Sequence, residues 1–307
     1  MTSTALSVTG LTKRYGARTA VDDLDIDLPT GVVAGFVGPN GAGKTTTMAM
    51  LLGLVRPTAG TGTVLGQPID QPAAYLARVG ALIESPAFYP SLSGLENLRM
   101  FATVGGHDTG GIPEILQIVG LEDRGTDRYR SYSLGMKQRL GIAAALLGDP
   151  DLLILDEPAN GLDPQGVREM RSLIGMLAAT GRTVLVSSHD LSELEQVCDW
   201  LVLIDTGRSL YQGPTRALLD GVAAGLAVVP QHRGQRDALQ HLLLDRGHVV
   251  NQRDDRLVIN VDGMDVSELA ASVNRAAFDA GVVLVELSPL RTTLEDRYLS
   301  MVDGGSR

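Results

Sequence analysis

The sequence predicts an α/β fold built on a mixed β-sheet, followed by a smaller α+β unit, and three observations support this prediction. A glycine-rich loop at residues 38–46 separates a short apolar run typical of a buried strand from a stretch typical of a helix. Two more apolar runs, at residues 151–156 and 181–186, are typical of buried parallel strands and end in polar or charged residues. From residue 220 onward the pattern changes to the order β-α-β-β-α-β, which is that of a ferredoxin-like unit.

Two antiparallel strands, at residues 5–12 and 20–28, are predicted before the loop. Aspartates alternate with apolar residues in the second strand, a pattern typical of a sheet with one face in water. The turn between these strands places Tyr15 near the mouth of the loop, where its ring could stack on a nucleotide base. An ordinary half-buried tyrosine in a hairpin explains the same residue equally well.

The loop fits the phosphate-binding pattern G-x-x-x-x-G-K-[ST] and lies between a predicted strand at residues 32–37 and a predicted helix at residues 45–55. Small residues let the backbone point successive N–H groups inward, which makes an anion site at the positive end of the helix. We expect Lys44 to reach the β- and γ-phosphates of a nucleotide and the Thr45 hydroxyl to ligate Mg²⁺. A glycine-rich turn with a solvated lysine is the alternative. The predicted loop residues are Gly38, Pro39, Asn40, Gly41, Ala42, Gly43, Lys44, Thr45 and Thr46.

The middle of the chain is predicted to be a helical insert in the α/β core. Its elements are strands at residues 62–66 and 79–84, then helices at residues 95–104, 112–120 and about 134–147. The second of these strands ends at a carboxylate, Glu84. Ser133 is a good N-cap of the last helix, and with Gly135 it offers a second anion site at a helix start. Plain helix capping is the alternative explanation for these two residues.

Charged side chains follow two of the predicted core strands. Asp156 and Glu157 end the strand at residues 151–156, and a charge there is costly unless it meets a cation. We therefore expect Asp156 to hold Mg²⁺ through water and Glu157 to polarise an attacking water molecule. His189 follows the strand at residues 181–186, at the edge where doubly wound sheets bind ligands, and is a candidate sensor of the γ-phosphate. Surface acids and a structural or solvated histidine are the alternatives.

The remaining elements complete a first domain, predicted at residues 1–219, and form a second, predicted at residues 220–307. The first domain ends with helices at residues 164–179, 191–199 and 216–219 and a hairpin at residues 200–204 and 208–212. The second has strands at residues 226–229, 249–252, 257–261 and 282–287 and helices at residues 235–245, 266–280 and 293–301. The second domain carries no phosphate loop, Cys/His cluster or basic run, so we expect a role in interaction or regulation.

Net charge, cysteine content and the length of apolar runs argue against several classes of protein. The formal net charge of −10 argues against a general nucleic-acid-binding surface, whose electrostatic footprint is basic. Cys198 is the only cysteine, so no intrachain disulfide can form. The N-terminus lacks the basic and apolar regions of a signal peptide, and no apolar run approaches the ~20 residues that span a bilayer. If the protein acts on a membrane, we expect it to do so through a partner.

Taken together, the ordered motifs over about residues 5–215 resemble the ATP-binding cassette (ABC) ATPase family. The loop is similar to the Walker A motif, and Asp156 and Glu157 to the Walker B aspartate and the catalytic glutamate. Tyr15 resembles the adenine-stacking tyrosine, Asp163 the D-loop aspartate and His189 the switch histidine. The stretch Tyr-Ser-Leu-Gly-Met beginning at residue 132 falls where the family has its Leu-Ser-Gly-Gly-Gln signature.

Two departures from the family pattern resemble a subgroup of exporter ATPases that includes the bacitracin-transport and daunorubicin-resistance types. The signature keeps Ser133 and Gly135 but has Leu134 and Met136 where the family has glycine and glutamine. Glu84 occupies the position of the Q-loop glutamine. A carboxylate there would repel the γ-phosphate unless it ligates Mg²⁺ or turns towards a basic group of a permease. We expect the first of these placements.

The resemblance implies a mechanism and a set of partners. Two copies would close head to tail as a homodimer, each holding ATP and Mg²⁺ between its own Walker A loop and the partner's signature helix. Hydrolysis would reopen the dimer and drive a separate transmembrane permease, contacted through the loop at about residues 84–90. The chain would then lie peripherally at the cytoplasmic face of the cell membrane.

The chain could instead be a soluble ABC ATPase that acts on ribosomes or nucleic acid. Ribosomal members usually carry two cassettes, and repair-type members carry a long coiled coil inside the cassette, whereas this chain has one cassette and a short insert. An importer ATPase is a third possibility, although its C-terminal extension would more often have another fold. Together with the net acidity, these features weigh against a role on ribosomes or nucleic acid. The resemblance to the exporter subgroup implies export, with drugs, antibiotics or peptides as the cargo.

Overall fold

The computed structural model describes residues 3–83, 87–219, 223–253, 255–261, 264–291 and 293–304. It divides into two compact units, Met1–Thr215 and Arg216–Arg307. The predicted domain boundary, between residues 219 and 220, lies a few residues beyond this division. Among the described residues, no helix is both long enough and apolar enough to cross a lipid bilayer.

The first unit is a mixed α/β structure. Its strands are β1 (Thr4–Tyr15), β2 (Arg18–Pro29), β3 (Val33–Val37), β4 (Ala59–Val64), β5 (Gln67–Pro68), β6 (Val79–Leu82), β7 (Leu152–Leu155), β8 (Thr183–Ser188), β9 (Trp200–Asp205) and β10 (Arg208–Pro214). Its helices are α1 (Lys44–Leu51), α2 (Gly94–Gly105), α3 (Ile112–Ile118), α4 (Leu134–Ala145), α5 (Pro164–Ala179) and α6 (Leu191–Glu195), with 3-10 turns at Pro72–Ala74, Leu76–Arg78, Glu122–Arg124 and Tyr129–Ser131.

The central sheet brings the ends of three strands together. Its order is β10-β9-β3-β8-β7-β6, with all neighbours parallel except the β9–β10 hairpin. β3, β7 and β8 are buried along their whole length, as expected for parallel strands covered on both faces. Because parallel strands end at the same edge, the segments that follow β3, β7 and β8 meet there.

A second sheet, of order β2-β1-β4-β5, is antiparallel and shares one core with the central sheet. The predicted alternation in β2 is present, with Ile26 and Leu28 buried and Asp25 and Asp27 exposed. Asp23, at a φ of 54°, interrupts the alternation with a bulge. The shared core is formed by apolar side chains from both sheets and from α1, among them Leu6, Leu24, Phe36, Met48, Ile154 and Leu185.

The segment between β6 and β7 forms the predicted helical insert, in which α2, α3 and α4 pack against one another. Several predicted helices end earlier in the structure. α1 stops at Leu51 because Gly53, at a φ of 68°, adopts the left-handed conformation that ends helices. α6 stops at Glu195 because Asp199 must donate its backbone N–H to Val33, beside which β9 begins.

The second unit contains the elements predicted for the second domain, together with most of the short helix α7 (Thr215–Leu219), which the prediction assigned to the first domain. Its strands are β11 (Ala223–Pro230), β12 (Val250–Arg253), β13 (Arg256–Ile259) and β14 (Leu284–Arg291), and its helices are α7 (Thr215–Leu219), α8 (Arg236–Asp245), α9 (Val266–Asp279) and α10 (Leu294–Gly304), with a 3-10 turn at Arg233–Gln235. The sheet is antiparallel, of order β12-β13-β11-β14. Leu239 and Leu243 of α8 and Val273 of α9 pack in its core. The β-α-β-β-α-β order is therefore present, and the ferredoxin-like fold remains our prediction for this unit.

Strand β14 is longer than the sequence suggested. The prediction ended it at residue 287, before Pro289, whereas the strand continues to Arg291 with Pro289 opposite Leu226 of β11. Proline is tolerated here because β14 lies at the edge of the sheet, where a strand can turn the side without an N–H towards solvent.

Candidate active site

The glycine-rich loop joins β3 to α1 in the predicted strand-to-helix context. Gly41 and Gly43 have φ values of 85° and 105°, which the loop needs in order to curl. A Cβ atom at Gly43 would lie 2.6 Å from the carbonyl oxygen of Ala20, and one at Gly38 would collide with that of Ile204. The loop is thus packed against β2 and β9 so closely that both positions require glycine.

The other loop residues form its rim and the start of α1. Pro39 and Asn40 are exposed, Ala42 is buried, and Thr46 is half-buried in the first helical turn. Gly43, as N-cap of α1, has no side chain to accept from the first N–H groups, which leaves them for an anion.

Lys44 is 6% exposed and lies over its own loop. Its Nζ donates to the carbonyl oxygens of Gly38, at 2.6 Å, and Pro39, at 3.3 Å. The same atom lies 3.5 Å from Oε1 of Glu157. The buried ammonium group therefore joins the loop after β3 to the carboxylate after β7.

Asp156 is the second link between the loop and the end of β7. Its Oδ2 accepts a hydrogen bond of 2.7 Å from the Thr45 hydroxyl, and its Oδ1 accepts one from the hydroxyl of Ser187. The residue is 9% exposed, so these hydroxyl groups replace the water that would otherwise solvate the carboxylate. The side chains of Thr45 and Asp156 thus place oxygen atoms close together, and oxygen atoms are the ligands that Mg²⁺ prefers.

Glu157 lies between Lys44 of the loop and His189, the other predicted catalytic residue. Its Oε1 faces Lys44, as described, and its Oε2 lies 3.2 Å from Nδ1 of His189. Its backbone is left-handed, with a φ of 46°, a conformation that costs a non-glycine residue about 1–3 kcal/mol. The surroundings must hold this conformation, and the backbone N–H of Glu157 donates to Ser187 Oγ at 2.9 Å.

Ser187 was missed by the sequence analysis. It is fully buried near the end of β8, and its hydroxyl bonds to the carboxylate of Asp156 and the backbone N–H of Glu157, the two acidic residues that follow β7. The available signal was the pair Ser187-Ser188 immediately before His189, since polar residues that end a buried strand at a ligand-binding edge are candidates for the site. Which partner they would meet could be known only from the order of the strands.

A second cluster contains the predicted signature residues and Asp163. Ser133 caps α4, and its hydroxyl accepts from the N–H of Met136 at 3.3 Å. Asp163 caps α5, accepting from the N–H of Gly166 at 2.7 Å. A Cβ atom at Gly135 would lie 3.7 Å from the side chain of Leu162, so the start of α4 packs on the turn that leads to Asp163. The described polar contacts of Ser133 and Asp163 are thus helix caps.

Tyr15 ends β1 in the hairpin that packs on the loop. Its ring is 49% exposed, and Nζ of Lys13 lies 5.0 Å from the ring centroid. Lys13 is held in turn by the carbonyl oxygen of Arg56, at 2.7 Å. The ring is therefore accessible to a planar ligand. Glu84, the remaining predicted metal ligand, lies outside the described residues.

A cleft of about 130 Å³ opens beside Glu157 and His189, between the end of β8 and helices α5 and α6. Asp190 caps α6 at its rim, and hydrogen bonds from the Ser192 hydroxyl and two backbone N–H groups hold the pKa of Asp190 below its ordinary value. Burial, together with the Asp190 charge, raises the pKa of Glu193. The carboxylates of this rim thus differ in how readily they take a proton.

Comparisons with known proteins agree with this geometry. A family model described as ABC transporter matches residues 21–160. The bacitracin transport ATP-binding protein BcrA of Bacillus licheniformis is 38% identical, with 99% of both chains covered. The daunorubicin resistance ATP-binding protein DrrA3 of Streptomyces coeruleorubidus is 35% identical, with 100% of this chain and 98% of that protein covered.

A solved structure described as the ATP binding subunit of an ABC transporter superposes with a TM-score of 0.62 at 31% identity, over 70% of this chain and 91% of the other. The full-length similarity to the curated relatives, together with the loop and the paired carboxylates at one sheet edge, decides the family. The chain belongs to the ATP-binding subunits of ABC transporters, a family of ATPases in which hydrolysis of ATP is coupled to transport.

Proposed function

We propose that the protein is the ATP-hydrolysing subunit of an exporter that drives a separate transmembrane permease. The observation that carries this proposal is the contact of the Glu157 carboxylate with both Lys44 and His189. It supports the proposal because a carboxylate there would act as a general base beside groups that would face the γ-phosphate. Relatives that are similar over their full length are described as bacitracin transport and daunorubicin resistance proteins, which supports export of a drug, antibiotic or peptide.

The residues of the site would divide the work of hydrolysis. The N–H groups of the loop and Lys44 would bind the phosphates, and Thr45 and Asp156 would hold Mg²⁺, which neutralises phosphate charge. No group of three or more His, Cys, Asp or Glu in the described part of the chain could hold a metal by itself, so phosphate oxygens and water would complete the coordination. Glu157 would polarise the attacking water, and His189 would hold the γ-phosphate.

The start of α4 would act in a second copy of the chain. Ser133 and Gly135 lie at a helix start, and a homodimer that closes head to tail would bring them opposite the γ-phosphate held by the partner's loop. The bond from the Met136 N–H to Ser133 is 3.3 Å long, beyond the usual range, so exchange for a phosphate would cost little. Tyr15, with its exposed ring, would stack on adenine.

The permease would dock near the predicted contact loop. A groove of about 270 Å³ lies between β6 and α4. Apolar side chains line it, among them Leu76, Leu82, Phe88 and Phe101, and Phe101 and neighbouring Tyr89 are themselves exposed. A groove of this kind accommodates an amphipathic helix. Docking there would place the subunit at the cytoplasmic face of the membrane.

The test of the catalytic assignment is Glu157→Gln, which keeps the shape of the side chain and removes the base. We expect ATP affinity to be kept and turnover to fall by about 10²–10⁴-fold, the usual contribution of general-base catalysis. ATP should then trap a dimer that size-exclusion chromatography resolves. The matched control is Glu169→Gln. Glu169 of α5 forms an ion pair with Arg139 of α4 at the surface, and this variant should keep normal turnover. Normal turnover in both variants would remove Glu157 from the role of base.

A second test concerns the two units, which we propose are separate domains. A chain that ends at Thr215 keeps the contacts of that residue with Cys198 and Asp199, which close the first unit. It should fold and bind ATP with the affinity of the full chain, as measured by calorimetry. A truncated protein that is folded but no longer binds ATP would show that the boundary is misplaced. Co-purification of the full chain with its permease tests the export assignment itself.

A further inference from the structure

We propose that Ser187 is a positioning residue for ATP hydrolysis, which orients both carboxylates at the end of β7 through one hydroxyl group. The inference rests on the proposed function, because it assigns to Ser187 a part in the same reaction. Ser187 belongs to neither the phosphate loop, the signature nor the Asp-Glu pair. Its assignment comes from its contacts alone.

The hydroxyl of Ser187 both donates and accepts a hydrogen bond. It donates its single hydrogen to Asp156 Oδ1 and accepts the backbone N–H of Glu157 at 2.9 Å. The residue is 0% exposed, so that water does not compete for either bond. The bond to Asp156 fixes the direction of the O–H group of Ser187 and therefore also the direction of its lone pairs. The bond that Ser187 donates and the bond that it accepts thus orient each other.

The first bond orients Asp156. With Oδ1 engaged by Ser187, Oδ2 is the oxygen that faces the loop and accepts from Thr45, at 2.7 Å. The terminal torsion of an aspartate is broad, and nothing within the side chain itself selects this orientation. Loss of the Ser187 hydroxyl would let the carboxylate turn away from Thr45 and from the Mg²⁺ that we place there.

The second bond orients Glu157. The left-handed backbone at Glu157 is unfavourable for this residue type, and the N–H donated to Ser187 belongs to the same residue. This bond helps to keep the side chain between Lys44 and His189. Without it the backbone could relax towards an ordinary φ, and the carboxylate would leave the position from which it can polarise water.

The test is Ser187→Ala. Removal of a partner that orients a metal ligand typically costs 10–100-fold in metal affinity or activity, and we expect kcat to fall by about that factor. The affinity for ATP without Mg²⁺ should stay within about 2-fold of the parent's, because the loop contacts are untouched. The Mg²⁺ concentration for half-maximal activity should rise. Calorimetric titration with ATP, with and without Mg²⁺, reads the same effect without turnover: the variant should lose most of the gain in affinity that Mg²⁺ gives the parent.

The matched control is Thr183→Val on the same strand. Thr183 is 2% exposed, and its hydroxyl accepts from the N–H of Gly31 at 2.9 Å, at the opposite end of β8. It lies about 13 Å from Ser187, since a strand rises ~3.3 Å per residue. Loss of this hydroxyl should lower the melting temperature much as Ser187→Ala does, while kcat and the Mg²⁺ titration stay those of the parent.

The outcomes separate the inference from the proposed function. If the parent hydrolyses ATP and Glu157→Gln does not, while Ser187→Ala overlays the parent in kcat and in its Mg²⁺ titration, only the role of Ser187 is overturned. The same holds if Ser187→Ala loses no more activity than Thr183→Val. A parent protein that neither binds nor hydrolyses ATP overturns both proposals.

Discussion

Helices α1 and α4 both begin at predicted anion sites, but the residues at their first turns differ. α1 starts after Gly43, which has no side chain to accept from its N–H groups. α4 starts after Ser133, whose hydroxyl accepts from the Met136 N–H at 3.3 Å. A third helix, α2, starts with a complete capping box, in which Ser93 and Glu96 bond to each other's backbone N–H.

The comparison shows how one residue decides whether a helix start is available to a ligand. The first N–H groups of α1 meet no capping side chain, one at the start of α2 is held by a capping box, and one at the start of α4 is held by a long bond. The third arrangement would suit the homodimer that we propose, because the cap would satisfy the helix in the open state and would exchange readily on closure.

The largest effect is expected at the α1 end. Lys44→Ala removes a cation that we expect to face phosphate, and a hydrogen bond to a charged group is worth about 1.5–3 kcal/mol. ATP affinity measured by calorimetry should therefore fall by about 10- to 100-fold. Arg78→Ala, which removes an exposed cation paired with Asp151 at the other end of β6, is the control and should keep the parent's affinity. Equal affinity in the two variants would contradict the assignment of Lys44.

A smaller and more selective effect is expected at the α4 start. Ser133→Ala should leave ATP binding to the single chain unchanged but should lower turnover and ATP-driven dimer formation, by about 10-fold or more, since a donor aimed at phosphate is lost from the closed state. Ser93→Ala removes a cap of the same type from α2. Each variant should lose about 0.5–2 kcal/mol of stability in urea unfolding, and only Ser133→Ala should lose turnover. Unchanged turnover in Ser133→Ala would show that Ser133 only caps α4 and has no part in hydrolysis.

The smallest expected effect is a difference between the α2 and α4 caps in how their contribution to stability depends on pH. Hydrogen bonds from the backbone N–H and then the side chain of Ser93 hold the pKa of Glu96 below its ordinary value. A lowered native pKa stabilises the fold above the unfolded pKa of about 4.3, and this contribution is lost as the pH falls through the native pKa. The stability difference between the parent and Glu96→Gln should therefore be constant near neutrality and shrink below about pH 4.

The same titration tests the contrast with α4. Met136 stands at the position that Glu96 has in α2, so no carboxylate closes a box with Ser133. The difference between the parent and Ser133→Ala should be independent of pH over the same range. A difference for Glu96→Gln that does not change with pH would show that the box adds no charge-dependent stability.

Much of the fold was predictable because apolar periodicity and strand-ending residues are local signals. The order of the strands and helices followed from them, and so did the meeting of Asp156, Glu157 and His189 with the loop at one sheet edge. Helix ends were less predictable, since they depend on neighbours: α6 is cut short by the bond from Asp199 to Val33.

The site residues that belong to a sequence motif were predictable. The contacts that depend on which strands are neighbours in the sheet were not. Ser187 is 31 residues from Asp156 along the chain, and only the adjacency of β7 and β8 brings its hydroxyl to that carboxylate. Asp163 was expected as a D-loop residue, and the structure gives it a contact that the motif does not state, the cap of α5. Both contacts depend on tertiary structure, which the local sequence does not determine.

The proline near the end of β14 limits how the chain can associate with its own copies. An unpaired sheet edge is a template on which another chain can add a strand and nucleate aggregation. Pro289 removes one N–H donor from that edge, and a strand added there would forgo a hydrogen bond worth about 0.5–1.5 kcal/mol. Val285, exposed on the same strand, would otherwise favour such growth. Pro289 thus makes the addition of another strand along this edge of the sheet less favourable.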